Sequence, residues 1–359
     1  MRSDLEKLTF SLCSLMSISG NESKCLEELN ALIGGYFDEH KTDAVGNHLF
    51  IKKAAKENAP TLLIDTHFDE IGMMVTDILD GGFVRVTSVG GLDPAIMQAS
   101  SVLIYGEKTV RGIICSTPPH LKKGDDKKLT PIDELLIDTG YEKDELEKIV
   151  RPGTPVGFLP IYNKLGYRTE EARNNATQIV GKSFDNKACA AAAILGIANV
   201  PREKMEANVC LLLSCHEETV RIGGVAPAAF ALEPDYAVVI DVNLARVPGA
   251  DKCETVEMGK GISISMSAIT DKLFTDLAIK LCLEKEISFS KCAAPSSTGT
   301  NTTCLSIVGH GIPVIDVGLP LKNMHTATEV IDLADSNTLA DFVSEIIVCK
   351  EIAEVYKNA

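Results

Sequence analysis

The stretches "IDTHFDEIG" (residues 64–72) and "LLSCHEETV" (residues 212–220) each place a histidine and acidic residues directly after an apolar run. Short apolar runs predict buried strands, and two further ones occur in "YAVVID" (residues 236–241) and "IPVIDVG" (residues 312–318). Helix-forming segments such as "KACAAAAILGIANV" separate the runs. Alternating buried strands and helices are typical of an α/β fold, in which a mostly parallel sheet is covered by helices on both faces.

Residues 69–165 have a different texture. Short strand-like runs follow one another closely here, and Gly-rich turns such as "LDGG" and "GGLDP" divide them. The runs are "GMMVTDI", "GFVRVTSV", "SSVLIYG", "VRGIICS" and "TPVGFLP". This pattern predicts a small β-barrel or sandwich. We therefore expect a β-rich domain at residues 69–165, inserted into an α/β domain that residues 1–68 and 166–359 form together.

The composition limits the classes of partner. The chain has 359 residues, of which 45% are apolar and 24% charged, as in a folded globular protein. Its net charge of −15 argues against a nucleic-acid partner, because binding to the phosphate backbone requires clustered Lys and Arg. The longest apolar stretch is shorter than the ~20 residues needed to cross a bilayer, so we expect no membrane partner.

The cysteines and the N-terminus indicate a compartment. The 11 cysteines are scattered along the chain without a C-x-x-C pair, which is typical of neither a disulfide framework nor a zinc ribbon. The first segment carries charged residues before any apolar stretch and predicts an amphipathic helix rather than a signal peptide. We therefore expect a reducing, cytoplasmic location.

Imidazoles and carboxylates follow four of the predicted strands. In open α/β sheets, ligands bind in the crevice outside the carboxyl ends of the strands. The residues that reach this edge are His67, Asp69, Glu217, Glu218, Asp241 and His325. Because the ends of parallel strands meet at one edge of a sheet, we expect these side chains to lie close together.

Each of these residues also has a plain structural explanation. His67 could be a hydrogen-bonded histidine at a strand end, and the Glu217–Glu218 pair could be solvated. Asp185 precedes a strong helix-forming run and could be its N-cap, a role that is compatible with binding a metal. Independent surface residues, however, have no reason to recur at the same end of successive strands. The combination therefore favours a common site.

The residue types in this set suit a pair of divalent metal ions. Two His and three Asp or Glu are the ligands of zinc, cobalt or manganese, and five ligands exceed the three of an open mononuclear zinc site. If Asp185 bridges the two ions, His67 and Asp241 complete the protein ligands of one ion. Glu218 and His325 then complete those of the other, with a water between ions ~4 Å apart.

Two acidic residues remain for other roles. Adjacent residues that leave a strand point in different directions, so Glu217 need not bind metal together with Glu218. It could act as the general base on the bridging water and return the proton to the leaving group. Asp69 faces the same side as His67 and could orient that imidazole as a hydrogen-bond acceptor.

The motifs "THFDEIG", "VGGLDP", "CSTPPHL", "LLIDTG", "GKSFDNKA", "HEE" and "MHTATEVIDL" resemble, in order and spacing, the TET-type dinuclear metallo-aminopeptidases. This is the family of glutamyl and deblocking aminopeptidases, some members of which are labelled endoglucanases. The resemblance spans nearly the whole chain.

The resemblance implies a zinc-peptidase-like fold, peptide substrates and two ions, zinc or cobalt. It assigns His67, Asp185 and Asp241 to one ion, and Asp185, Glu218 and His325 to the other. It further implies Glu217 as the base, Asp69 as a support for His67, and the insertion as a dimerisation domain. Members of the family commonly assemble from dimers into dodecamers, so we expect a homo-oligomer.

Three positions depart from the family pattern. His216 stands where the family usually has Gln and is either an extra ligand or a hydrogen-bond donor to the site. Arg221 lies one residue earlier than the usual arginine, and Asn301 stands where an acid of the substrate wall is expected. These changes bear on which substrate side chain the protein prefers and on whether it recognises a free amine.

Three hypotheses follow. The first is a dinuclear metal-dependent aminopeptidase. The second, motivated by Asn301 and Arg221, is a metal-dependent deacylase of small N-acyl substrates. The third is a non-catalytic, metal-stabilised assembly subunit. A glycosidase is disfavoured, since the chain has no Trp and only 5% aromatic residues to stack on sugars.

Overall fold

The computed structural model describes residues 2–116, 118, 129–166, 177–219 and 223–357. The α-helices in these ranges are α1 Arg2–Ser14, α2 Leu26–Ile33, α3 Lys143–Leu146, α4 Phe184–Ala198, α5 Val225–Leu232, α6 Lys272–Glu284, α7 Thr302–Leu305, α8 Leu333–Ile347 and α9 Lys350–Val355. Within this part of the chain, no helix has the length and apolar character needed to cross a membrane.

The strands belong to two sheets and one barrel. In chain order they are β1 Glu39–Thr42, β2 His48–Lys52, β3 Thr61–His67, β4 Gly72–Ile78, β5 Phe83–Val89, β6 Ser101–Tyr105, β7 Thr109–Ile114, β8 Leu136–Asp138, β9 Pro155–Phe158, β10 Asn163–Lys164, β11 Gln178–Gly181, β12 Asn208–Ser214, β13 Tyr236–Leu244, β14 Ile262–Ser267, β15 Phe289–Ala294, β16 Val314–Leu321 and β17 Glu329–Asp332.

The main sheet has eight strands in the order β1-β2-β12-β3-β13-β16-β14-β15. The four central strands, β12, β3, β13 and β16, run parallel to one another. Antiparallel pairs occur only toward the two sides, between β1 and β2, β2 and β12, and β14 and β16, for the strands described. The expected α/β fold with a mostly parallel sheet is confirmed.

Burial on both faces explains why the central strands are apolar throughout. In β12, Leu211 and Leu213 pack into the cluster formed with α4 and α8. Cys210 and Leu212, on the opposite face, pack with α5 and α7. A strand in which successive side chains point into two separate cores reads as a continuous apolar run.

The insertion closes into a six-stranded barrel in the order β4-β5-β8-β7-β6-β9. Strand β7 shows the alternation that a barrel wall requires, since Val110, Gly112 and Ile114 are buried and the residues between them are exposed. Gly112 is needed for closure, because a Cβ there would lie 2.4 Å from the side chain of Ile137 on β8. The expectation of a small barrel or sandwich is therefore confirmed as a barrel.

Helix α4 is buried on nearly all sides, which suits its run of small residues. It packs between the sheet, α1 and α8. At Gly196 the backbones of α4 and α8 approach closely, since a Cβ there would lie 2.6 Å from the carbonyl oxygen of Ala340. The Ser344 hydroxyl on α8 donates to the Gly196 carbonyl at 2.9 Å. The last turn of α4 is thereby held against α8.

A three-stranded sheet, β10-β11-β17, joins the start of α4 to the loop after β16. Strands β11 and β17 are antiparallel, and Gly181 pairs with Glu329. Asp185 follows β11 by a few residues, and His325 precedes β17 by a few. This pairing brings together two of the residues expected in the site, although they are far apart in the sequence.

Candidate metal centre

The register of the central strands delivers the site residues to one edge. In the parallel pair β3–β12, His67 lies opposite Ser214, so the segments that follow both strands leave the sheet side by side. In the pair β13–β16, Asp241 lies opposite Gly318 near the same edge. All seven residues expected from the sequence meet here: His67, Asp69, Asp185, Glu217, Glu218, Asp241 and His325.

One group of three ligand-type side chains is His67, Asp185 and Asp241. The Nε2 atom of His67 lies 3.0 Å from Asp185 Oδ1 and 3.6 Å from Asp241 Oδ1. All three residues are buried, and their ligand atoms lie within 4.8 Å of one another. An imidazole nitrogen and two carboxylates at this spacing form a set that zinc or cobalt can occupy.

A second group consists of Asp185, Glu218 and His325. The Nε2 atom of His325 lies 3.5 Å from Asp185 Oδ2 and 3.3 Å from Glu218 Oε2. Their ligand atoms also lie within 4.8 Å of one another. Asp185 therefore faces the two histidines with different oxygens, Oδ1 toward His67 and Oδ2 toward His325. The N-cap position of α4 is Ser183, whose side chain makes no capping hydrogen bond.

Carbonyl groups fix the tautomers of both histidines. The Nδ1 atom of His67 lies 3.1 Å from the carbonyl oxygen of Asp69, and that of His325 lies 3.0 Å from the carbonyl oxygen of Gly91. A carbonyl only accepts, so each Nδ1 must carry the proton. Nε2 is therefore the ring nitrogen that is left to bind a metal ion in each histidine.

The carboxylates at the site fit a divalent cation because the protein supplies too little positive charge for them. In the metal-free protein, burial raises the pKa of Glu217 to about 8, although the charge of His67 opposes the rise. Burial also raises the pKa of Glu218 well above its ordinary value, and the charge of Asp185 adds to the shift. Bound cations remove this repulsion, so the residues present suit metal ions.

Asp69 holds the backbone that carries Glu217 and Glu218. Its Oδ1 accepts from the N–H of Glu217 and its Oδ2 from the N–H of Glu218, both at 3.1 Å. The contact of its carboxylate with His67 Nδ1 is longer, at 3.6 Å, and the hydrogen bond to that ring comes from its carbonyl. Asp69 thus adjoins His67 as expected, with its carboxylate directed at the glutamate pair.

Glu329 is a site residue that the sequence interpretation missed. Its Oε1 accepts from the N–H of His325 at 3.1 Å, and its Oε2 accepts from the N–H of Asp185 at 3.2 Å. One buried carboxylate therefore ties the backbones of two ligand-type residues together. Its position in "MHTATEVIDL" gives no signal of this role, which depends on the pairing of β11 with β17.

We expect Glu329→Gln to weaken metal binding by about 10–100-fold, the usual effect of removing a hydrogen bond that orients a ligand. The amide can accept only one of the two backbone hydrogen bonds and turns a donor toward the other N–H. Competition with a coloured chelator measures the affinity. Glu354→Gln, at an exposed position, is the control, and equal affinities in both variants would contradict this role for Glu329.

A buried ion cluster beneath the site was also missed. Glu70 contacts the ammonium groups of Lys182 and Lys187, the latter at 3.3 Å, and also contacts the Ser183 hydroxyl. The N–H of Ser17 donates to the same carboxylate at 3.1 Å. The cluster joins the segment after β3 to the start of α4, and so links the elements that carry His67 and Asp185.

Glu70→Gln is expected to destabilise the protein by about 3–5 kcal/mol, because it leaves two buried ammonium groups without their carboxylate. Burial raises the pKa of Glu70, but Lys182 and Lys187 outweigh it and lower the pKa from 4.5 to about 2. The contribution is therefore complete above pH 4.5 and is lost as the pH falls toward 2.

Urea unfolding of the wild type, Glu70→Gln and the exposed control Glu354→Gln measures this effect. The control is expected to stay within about 0.5 kcal/mol of the wild type. The stability difference between Glu70→Gln and wild type is expected to shrink below pH 4.5. A variant as stable as the control at neutral pH would show that the cluster contributes little.

Two of the positions that depart from the family pattern, His216 and Asn301, belong to neither of the two ligand groups. His216 belongs to neither group and lies beside Glu22 and Cys215. Asn301 is buried and donates to Asp65 Oδ2 at 2.8 Å and to Ser214 Oγ at 3.0 Å, so its amide does not line a substrate wall. Arg221 lies outside the described residues.

Comparison with known proteins gives a consistent result over the whole chain. A family model described as M42 glutamyl aminopeptidase matches residues 46–342. The lysyl aminopeptidase of Pyrococcus furiosus is 27% identical over 330 residues, which cover 90% of this chain and 91% of that protein.

Solved structures agree with this match. The aminopeptidase APDkam598 of the archaeon Desulfurococcus kamchatkensis superimposes with a TM-score of 0.88 at 25% identity, covering 100% of this chain and 99% of that one. The TET1 peptidase of Pyrococcus horikoshii, which can assemble into a tetrahedron or a large octahedral shell, gives 0.81 at 25% identity over 96% and 98% of the two chains. The family match confirms the resemblance seen in the motifs: the chain belongs to the M42 glutamyl aminopeptidase family and is an aminopeptidase.

Proposed function

We propose that this aminopeptidase is dinuclear and hydrolyses the first peptide bond of its substrates with Glu217 as the general base. The observation that carries the proposal is the sharing of Asp185 between two groups of three ligand-type side chains. Each group alone would resemble an ordinary mononuclear site, and a carboxylate common to both is what a pair of ions requires.

The protein would hold one ion with His67, Asp185 and Asp241. It would hold the other with Asp185, Glu218 and His325. Borderline nitrogen donors combined with oxygen donors favour zinc or cobalt over magnesium or calcium. When bound, such ions polarise the scissile carbonyl and lower the pKa of the attacking water.

Glu217 is the carboxylate best suited to move the proton. Its Oε2 lies 4.0 Å from His67 Nε2, yet it belongs to neither group of three. Its side chain is 18% exposed, whereas that of Glu218 is 4% exposed, so substrate and water can reach it. Asp69 fixes its backbone N–H. Glu217 would accept a proton from the attacking water and return it to the departing amine.

The proposal predicts that hydrolysis of aminoacyl p-nitroanilides stops when the metal is removed and returns when zinc or cobalt is added. The assay compares the wild type before chelation, after dialysis against a chelator, and after each metal is restored. Magnesium serves as the control ion, because it prefers an all-oxygen set. Undiminished hydrolysis by fully demetallated protein would refute a metal-dependent mechanism.

The same assay separates the aminopeptidase from the deacylase. Each amide is offered with a free and with an acetylated amino group, and we expect the free amine to be preferred. The argument for a deacylase is weakened at Asn301, whose amide is engaged with Asp65 and Ser214. A clear preference for the acetylated amides would favour the deacylase.

We further propose that the chain divides into a catalytic domain of residues 1–68 and 166–359 and a dimerisation domain of residues 69–165. Exposed apolar side chains in the second region, Ile113 and Leu129, support a contact with a second copy. The TET1 peptidase of Pyrococcus horikoshii can assemble into a tetrahedron or a large octahedral shell. We therefore expect this chain to form a homo-oligomer that is built from such dimers, with a dodecamer as one outcome.

A cytoplasmic location is likewise proposed. None of the eleven cysteines forms a disulfide, and most are buried within the fold. Reduced cysteines in this number suit a reducing compartment.

A further inference from the structure

A third cluster of ligand-type side chains lies apart from the two groups of the candidate metal centre. It consists of Glu22, Cys215 and His216, whose carboxylate oxygen, Sγ and ring nitrogen lie within 4.8 Å of one another. Glu22 begins a 3-10 turn, Glu22–Cys25, that follows α1. Cys215 and His216 follow β12 directly. The cluster therefore joins the N-terminal region to the segment that leads into Glu217.

The surroundings of the cluster hold its ligand atoms in place. Glu22 and Cys215 are buried, and His216 is half-buried, which leaves an entry path on one side. The N–H of His216 donates to Glu22 Oε1 at 3.3 Å. The N–H of Cys215 donates to Asn47 Oδ1 at 3.0 Å, and its thiol lies 3.2 Å from the Val45 carbonyl.

Glu22 is a buried carboxylate that forms no ion pair with a Lys or Arg within the described part of the chain. Burial raises its pKa, and the charge of Asp69 raises it further. Backbone hydrogen bonds at Glu22 and Gly20 lower this pKa, as does the charge of His216, a member of the same cluster. A buried carboxylate is expected to be paired or to coordinate a metal.

We propose that Glu22, Cys215 and His216 form a third metal site, which binds a zinc- or cobalt-type divalent ion. A thiolate, an imidazole and a carboxylate are the ligands that such ions take, and the thiolate excludes magnesium and calcium. Three protein ligands leave one position for solvent. Binding releases the Cys215 thiol proton to solvent as the sulfur–metal bond forms.

The ion would fasten the segment that carries the catalytic groups. His216 immediately precedes Glu217 and Glu218, whose N–H groups are held by Asp69. A metal bound to Cys215, His216 and Glu22 ties the other side of this segment to the N-terminal turn.

Cobalt titration of the full-length protein tests the proposal. A thiolate bound to Co²⁺ gives a charge-transfer band in the near ultraviolet, and neither group of the candidate metal centre contains sulfur. We expect the wild type to show this band, and Cys215→Ser to lose both the band and one ion per subunit. Cys253→Ser, which removes an exposed thiol, is the matched control and should keep both.

Two further variants distinguish metal binding at this site from binding of the proposed catalytic ions. Asp185→Ala removes the residue shared by the two groups, so in that variant the band should persist with one bound cobalt. His216→Gln, which removes the imidazole and keeps a polar side chain, should abolish the band even where Cys215→Ser folds poorly. The absence of a thiolate–cobalt band in the wild type, or its persistence in both Cys215→Ser and His216→Gln, would overturn the proposal.

Discussion

Replacing Glu217 by glutamine is expected to lower kcat by about 10²–10⁴-fold, the usual contribution of a general base, while the metal content stays that of the unchanged protein. Glutamine keeps the size of the side chain and cannot take up a proton. Glu217 lies outside both groups of three, so its loss removes no ligand. The affinity for substrate, reflected in KM, should change much less than kcat.

Glu218→Gln is the matched control, because the two residues are neighbours with the same side chain. Glu218 lies 3.3 Å from His325 and belongs to a ligand group, so its replacement should lower the metal content together with the rate. Metal analysis by mass spectrometry and steady-state kinetics on one substrate distinguish the variants. If Glu217→Gln lost an ion, or if it kept full activity, the general base would have to be another residue.

The strands that carry the site could be predicted because their burial is uniform. Strands β3 and β12 lie at the centre of the sheet with helices on both faces, so each reads as a mainly apolar run that ends at a polar residue, His67 or Ser214. Because parallel strands end at the same edge of the sheet, these polar residues can be predicted to lie together without knowledge of the loops. His67 opposite Ser214 is a direct example.

The outer strands could not be predicted, because their sequences carry no uniform pattern. Strand β1, with the sequence EHKT, is half-buried to exposed and owes its existence to the antiparallel ladder with β2. Strand β15 alternates between half-buried and exposed positions at the sheet edge. The position of such strands in the sheet depends on pairing with strands that are distant in the sequence, and their own side chains contribute little to it.

Contacts that carboxylates make with backbone N–H groups could not be predicted from the sequence, for a similar reason. Glu329 and Asp69 use their carboxylates to hold N–H groups of ligand-type residues, and any segment can supply such N–H groups. Glu70 could not be paired with Lys182 and Lys187 because more than a hundred residues separate them in the sequence. Ligand chemistry is visible in residue types, whereas the groups that orient the ligands depend on tertiary structure.

Asp185→Ala is expected to remove two ions per subunit relative to the wild type, and to lower activity by about 10⁴-fold or more. The carboxylate contacts the histidine of each group, His67 at 3.0 Å and His325 at 3.5 Å, so its loss takes a ligand from both. Polarisation of the carbonyl and activation of the water are each worth several kcal/mol, and both would be lost. Metal analysis and initial rates at saturating zinc or cobalt measure the two effects.

Asp241→Ala provides the graded control, because Asp241 belongs to only one of the two groups. It should lose one ion, where Asp185→Ala loses two. The two residues are both buried carboxylates beside His67, so a difference between the variants reflects sharing and not simply the loss of negative charge. Equal losses of a single ion would mean that Asp185 serves only one of the two ions and does not bridge them.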